Sequence, residues 1–239
     1  MKYRLDQLMA QQQLVATRSQ AESYIKLGKV SVDGKTVTKP GTMIDETSGI
    51  KLAAGEQYVS RAGLKLASVA ALLQVDFKGK TVLDVGSSTG GFTDYALRHG
   101  ARKVFAVELG TNQLHPSLHG DPRIELHEQT DIRNFTTAEK IDVVVADVSF
   151  ISLRELLPHV ATLSNPHTDI LAMVKPQFEA GQSDLKHKGV VKNDRMRRDI
   201  LKDFETWSRR YFTIRGQADS DVAGAKGNKE RFYKLHILS

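Results

Sequence analysis

The chain has 239 residues, enough for one well-buried domain and a smaller unit, and carries 34 Lys and Arg against 28 Asp and Glu, a formal net charge of +6. That balance favours polyanionic partners such as nucleic acid. The absence of cysteine excludes disulfides, thiolate metal sites and cysteine nucleophiles; no metal is assigned and a reducing compartment is expected.

No apolar signal core follows Lys2 and Arg4, where a glutamine run stands at Gln11–Gln13. The longest apolar stretches, Ile141–Ala146 and Ala67–Leu73, fall far short of the roughly 20 residues of a spanning helix. The expectation is a cytoplasmic protein with no membrane association.

In chain order, Leu5, Leu8, Met9 and Leu14 recur at near-helical spacing. A second helix is predicted from Ser19, with Glu22 completing a capping box, Ala21, Tyr24 and Ile25 on the inner side, and Gly28 as the left-handed stop. Val30–Val32 and Lys35–Val37 flank Asp33-Gly34, the turn signal of a hairpin. Arg4, Arg18, Ser19, Lys26, Lys29 and Lys35 can line one face and contact phosphates, although charge alone describes solvated side chains equally well. The composition changes near Gly55. This places a small α+β unit at residues 1–55, a linker at 56–60 short enough for the two units to touch, and the larger unit at 61–239. Ser60 is expected to cap a helix through Leu73 whose inner stripe is Ala62, Leu66, Val69 and Leu73; on that helix alone Lys65 reads as solvated.

Thr81–Val85 reads as a buried strand breaking into the glycine-rich turn Gly86-Ser87-Ser88-Thr89-Gly90-Gly91-Phe92, then a helix to about Gly100. A second strand, Lys103–Val107, ends in Glu108, where nucleotide-type folds place an acid on a ribose. Gly86 and Gly90 stand four apart, so the dinucleotide fingerprint is absent. Asp84 just before the turn would repel a pyrophosphate but suits the ammonium and sulfonium of S-adenosylmethionine. Asp131, after a third strand at Ile124–His127, can hold an adenine amino group or cap a helix. The strands Ile141–Ala146 and Ile170–Val174 deliver Asp147 and Lys175 to the carboxyl edge of the sheet, where such folds bind ligands. After a turn at Gly224–Asn228, Glu230 opens a final strand.

The front unit, through Arg4-Leu5-Asp6, Thr17-Arg18-Ser19 and Asp33-Gly34, resembles the small RNA-binding domain shared by a small-subunit ribosomal protein and several pseudouridine synthases. Over essentially the whole chain, Ser60–Leu66, Asp84–Phe92, Asp147–Leu153, Lys175–Glu179 and Gly227–Glu230 resemble the TlyA family, long labelled haemolysins. The resemblance implies a Rossmann-like class I S-adenosylmethionine-dependent methyltransferase of the FtsJ-like type behind the RNA-binding domain. The implied activity is methylation of ribose 2′-hydroxyls of cytidine in rRNA within ribosomal subunits, the large subunit foremost. Its catalytic tetrad falls on Lys65, Asp147, Lys175 and Glu230, with Lys175 as proton acceptor or hydroxyl-orienting group. Asp84, Gly86–Phe92, Glu108, Asp131 and Asp147 form the implied cofactor set. Competing readings are an assembly factor with an inactive methyltransferase domain, a base methyltransferase, and a pore-forming haemolysin, for which no apolar or alternating membrane segment exists. The oligomeric state stays open.

Overall fold

The computed structural model describes residues 1–53, 55, 57–180, 190–191, 193–224 and 227–238. Linker residue Glu56 and the turn residues Ala225 and Lys226 lie outside that set. The first part carries β1 (Lys2–Arg4), α1 (Leu5–Gln11), α2 (Arg18–Lys26), β2 (Val30–Val32), β3 (Lys35–Thr36), β4 (Met43–Asp45) and β5 (Ile50–Leu52). Leu5, Leu8, Met9, Ala21, Tyr24, Ile25 and Val30 form its core. The two helices pack against a β1–β4 pair and a three-stranded β3-β2-β5 sheet. Asp33 and Gly34 both hold positive φ, 49° and 80°, as the hairpin turn requires.

The capping box is displaced from its expected place by two residues. Thr17, not Ser19, is the N-cap: its hydroxyl accepts from Gln20 N while the Gln20 side chain accepts from Thr17 N. Both Ser19-x-x-Glu22 and Thr17-x-x-Gln20 fit the template, and tertiary contact selects the second. Gln20 Nε2 also donates to the Tyr58 carbonyl at 2.7 Å, across the junction to the larger unit.

The larger unit contains α3 (Arg61–Ala70), β6 (Thr81–Val85), α4 (Gly91–Arg98), β7 (Lys103–Val107), β8 (Ile124–His127), β9 (Val143–Ala146), α5 (Leu157–Leu163), β10 (Asp169–Val174), α6 (Pro176–Glu179), α7 (Asp194–Ser208), β11 (Phe212–Asp219) and β12 (Arg231–Ile237). The sheet runs β11-β12-β10-β9-β6-β7-β8. Six of the seven strands share one direction, and β12 runs antiparallel between β10 and β11. Apolar side chains on its two faces build two cores, one with α5 and α7 and one with α3 and α4. β6 and β9 are neighbours from which the connections wind in opposite directions, so the crevice beyond their carboxyl ends is the expected ligand position.

Several element boundaries differ from the sequence expectation. α3 ends at Ala70 in place of Leu73, and β9 begins at Val143 in place of Ile141. Ser60 occupies the N-cap position without a side-chain cap bond. Tyr58, within the expected linker, is buried in the α3/α4 core against Tyr95, with ring centroids 5.4 Å apart.

Candidate active site

The loop after β6 turns through Gly86 at φ 77° and Gly90 at φ 82° before α4 begins. At Gly86 a side chain would collide with the Asp147 carbonyl, so glycine lets the loops after β6 and β9 approach. Between them opens a cavity of about 580 Å³, within the usual range for small-molecule sites. Gly86, Ser88, Glu108, Asp131, Asp147 and Ser149 are among its lining residues. Three of those are carboxylates, and no Lys or Arg stands among the described lining residues, which suits a cationic ligand and opposes a pyrophosphate.

The predicted cofactor set is thus divided. Gly86, Ser88, Glu108, Asp131 and Asp147 face the cavity, whereas Asp84, Ser87, Thr89, Gly90, Gly91 and Phe92 are not in its lining. Phe92 is turned into the core, 5.9 Å from the Phe232 ring. Thr89 accepts the His115 amide on its carbonyl, and Gly91 abuts Ser60 and Gly63 where α3 meets α4. Asp84 is buried beneath the loop: Oδ2 accepts from Thr93 Oγ1 at 2.7 Å, while Oδ1 has no hydrogen-bond partner among the described residues. Burial pushes its carboxyl up to about 7.

Glu108 uses one carboxylate oxygen on Ser88 N at 2.8 Å and the other on Gly110 N at 2.7 Å, tying the glycine-rich loop to the end of β7. Asp131 accepts from Arg133 N at 2.9 Å, capping a short 3₁₀ turn, and takes the Arg133 guanidinium in a fork. The hydrogen bonds to Arg133 hold its carboxyl down at about 2. The capping alternative weighed for Asp131 therefore exists in the structure alongside its place on the cavity wall.

Two Lys–carboxylate pairs stand near the edge of β9, β10 and β12. Lys175 Nζ lies 2.5 Å from Asp147 Oδ1 and donates to Ser149 Oγ at 2.8 Å. Lys65 Nζ lies 2.5 Å from Glu230 Oε2, with side chains 9% and 2% exposed. The expectation of a solvated Lys65 fails because the segment leading into β12 covers that face of α3. Sheet register joins the two pairs. Val174 is opposite Arg231, so Lys175 and Glu230 follow as neighbours across the end of the β10–β12 ladder, about 5 Å apart in backbone. Ala146 is opposite Ala172, which sets Asp147 on the next strand. Arg197 holds the approach to Glu230 by donating to the Lys229 carbonyl at 3.1 Å and to Asp219 at 2.7 Å.

On the front unit, Arg4 and Arg18 both donate to the buried Asp6 carboxylate, at 2.8 Å for the closest contacts. Their guanidinium groups are therefore partly committed to holding α1 and α2. Ser19 uses its carbonyl on the Ser23 hydroxyl. Lys26, Lys29 and Lys35 are exposed, with Lys26 4.0 Å from Glu22. Sequence reasoning assigned no role to Ser149 or to Asp94. The latter accepts from Val59 N at 2.9 Å and fixes the junction to the first turn of α4.

A family model for FtsJ-like methyltransferases matches residues 58–236, and one for the S4 domain matches residues 4–49. The chain is 35% identical to the 16S/23S rRNA (cytidine-2′-O)-methyltransferase TlyA of Mycobacterium tuberculosis, over 97% of this chain and 89% of that protein. It is 36% identical to Hemolysin A of Brachyspira hyodysenteriae over 98% and 99% of the two chains. With the 23S rRNA (cytidine-2′-O)-methyltransferase TlyA of Campylobacter jejuni it shares 40% identity over 78% of this chain and 74% of the relative. Among the described residues no helix is long and apolar enough to cross a membrane. The protein belongs to the FtsJ-like methyltransferase family, with an S4 domain preceding the methyltransferase fold.

Proposed function

We propose that the protein methylates the ribose 2′-hydroxyl of a cytidine in rRNA, using S-adenosylmethionine, with large-subunit rRNA the foremost substrate. The observation that carries this reading is the pair of Lys–carboxylate contacts, Lys175–Asp147 and Lys65–Glu230, on one strand edge beside a cavity lined by carboxylates. Relatives named as cytidine-2′-O-methyltransferases support the substrate class.

Gly86, Ser88, Glu108, Asp131 and Asp147 would hold the cofactor, whose sulfonium supplies an electrophilic methyl group when bound. Methylating a hydroxyl needs the acceptor oxygen in line and its proton removed, and positioning provides most of the rate. Lys175, held by Asp147 and Ser149, orients the 2′-hydroxyl and accepts its proton. Glu230 fixes Lys65 at the opposite flank, where its ammonium faces the incoming nucleotide. Residues 1–55 form the RNA-binding unit, 56–60 the junction and 61–239 the catalytic unit, with Lys26, Lys29 and Lys35 as phosphate contacts and Arg4, Arg18 and Ser19 shaping the same face.

Incubating the protein and labelled S-adenosylmethionine with separated ribosomal subunits and with naked rRNA tests the reading. Label in large-subunit rRNA supports it. Label confined to the small subunit corrects the substrate, and no label in any RNA refutes the activity.

A further inference from the structure

Glu179 ends α6, four residues after Lys175, and its side chain is 1% exposed. Its described side-chain hydrogen bonds reach the loop that begins at Asp147. Oε2 accepts from Ser152 Oγ at 2.6 Å and Oε1 from Leu153 N at 2.8 Å, while Arg154 Nε stands 3.4 Å from Oε2. The segments Asp147–Arg154 and Lys175–Glu179 are therefore laced at both ends: by Lys175 to Asp147 and Ser149 at one, and by Glu179 to Ser152, Leu153 and Arg154 at the other. Between the two ends the exposed Phe150 holds φ 69°, a left-handed backbone that is costly for an aromatic residue. Arg154 carries the lacing onward, donating to Asp203 of α7 at 2.8 Å.

Burial pushes the Glu179 carboxyl up, against the hydrogen bonds and Arg154 that favour its charge. An acid kept in such a place serves geometry. Without it, Ser152 Oγ and Leu153 N lose their acceptor, and the loop keeps its tie to Lys175 only at the Asp147–Ser149 end.

We propose that Glu179 is a positioning residue for methyl transfer, whose carboxylate holds the Asp147–Arg154 loop in register with Lys175. The inference rests on the catalytic reading of Lys175 given above. A misplacement on the order of 1 Å at a reacting group costs about 100-fold in rate, so Glu179→Ala is expected to lower kcat about 10- to 100-fold. KM for rRNA and Kd for S-adenosylmethionine should stay within about threefold, because Glu179 touches neither. Glu179→Gln keeps an acceptor for Leu153 N and a polar partner for Ser152, and should restore kcat to within about threefold of wild type.

A second readout needs no activity. With lysine labelled at 13Cε, the Lys175 signal, assigned through Lys175→Arg, should move in Glu179→Ala and return in Glu179→Gln. An unchanged kcat, a loss expressed wholly as weaker cofactor binding, or an unmoved Lys175 signal overturns the proposal. Should wild type methylate no rRNA, the catalytic reading falls while the lysine signal still decides the tie. Should Glu179→Ala fail to fold, Ser152→Ala removes one bond of the lacing together with the cap on Arg154 N. A shifted Lys175 signal with several-fold lower kcat then supports the proposal, and no shift overturns it.

Discussion

Glu230→Ala would leave the Lys65 ammonium enclosed with its closest carboxylate removed. The two side chains are 9% and 2% exposed and 2.5 Å apart, so water cannot readily replace the lost partner. Breaking a buried pair from one side costs about 3–5 kcal/mol, because the remaining charge keeps its desolvation penalty. Replacing both partners with apolar groups, Lys65→Met with Glu230→Leu, removes both penalties and should cost less than either single change. The contrast within the same chain is Lys26 with Glu22, 4.0 Å apart and 57% and 33% exposed. Breaking that solvent-screened pair by Glu22→Ala should cost on the order of 0.5 kcal/mol. Urea unfolding followed through the single tryptophan, Trp207, which packs against the core between α7 and the sheet, supplies the stabilities. Losses near 1 kcal/mol for Glu230→Ala, or additive effects in the double variant, would refute the claim that Lys65 and Glu230 form one buried unit.

Three further outcomes follow from the geometry. A Cβ at Gly224 would overlap the Glu230 carboxylate, so Gly224→Ala should reduce methyl transfer while leaving cofactor affinity by calorimetry intact. Asp84, with its folded carboxyl near 7 against an ordinary 3.8, stabilises the fold fully below about pH 4 and loses that contribution as pH rises through 7. The difference is on the order of 4 kcal/mol, and it should vanish from the pH dependence of urea midpoints in Asp84→Asn; a wild-type-like slope in that variant contradicts the assignment. Lys29→Glu and Lys35→Glu should each weaken rRNA binding and reduce the salt slope by roughly 0.7–0.9 per phosphate contact, whereas an unchanged slope in filter binding removes that lysine from the interface.

The strands and the glycine-rich turn were legible because each is encoded locally. Val82, Leu83 and Val85 make a buried run, and Gly86 stands where the chain must bend back under Asp147. The position of the Thr17 cap was not, since two overlapping templates compete and only the distant Tyr58 carbonyl selects Gln20. Lys65 shows the same limit. Its place off the apolar stripe of α3 predicts solvent, and burial comes from Glu230, far along the chain. The resemblance put both residues in a tetrad, but their pairing depends on the antiparallel register of β12 with β10. Glu108 was singled out for a ligand and is also engaged by two backbone amides, contacts that only three-dimensional closure of the loop creates. Ser149 and Glu179 lay inside recognised motifs, yet nothing in their spacing announced that one would touch Lys175 and the other would bind the loop opposite.

Ribose chemistry organised by Lys175 has a direct chemical signature. Digesting methylated rRNA to nucleosides and separating them by mass spectrometry tests it most directly, with wild type and Lys175→Ala compared at equal cofactor occupancy. Wild type should yield 2′-O-methylcytidine and Lys175→Ala should lose it, with S-adenosylmethionine still bound. Methyl on the base, or undiminished ribose methylation without the Lys175 amine, would contradict it.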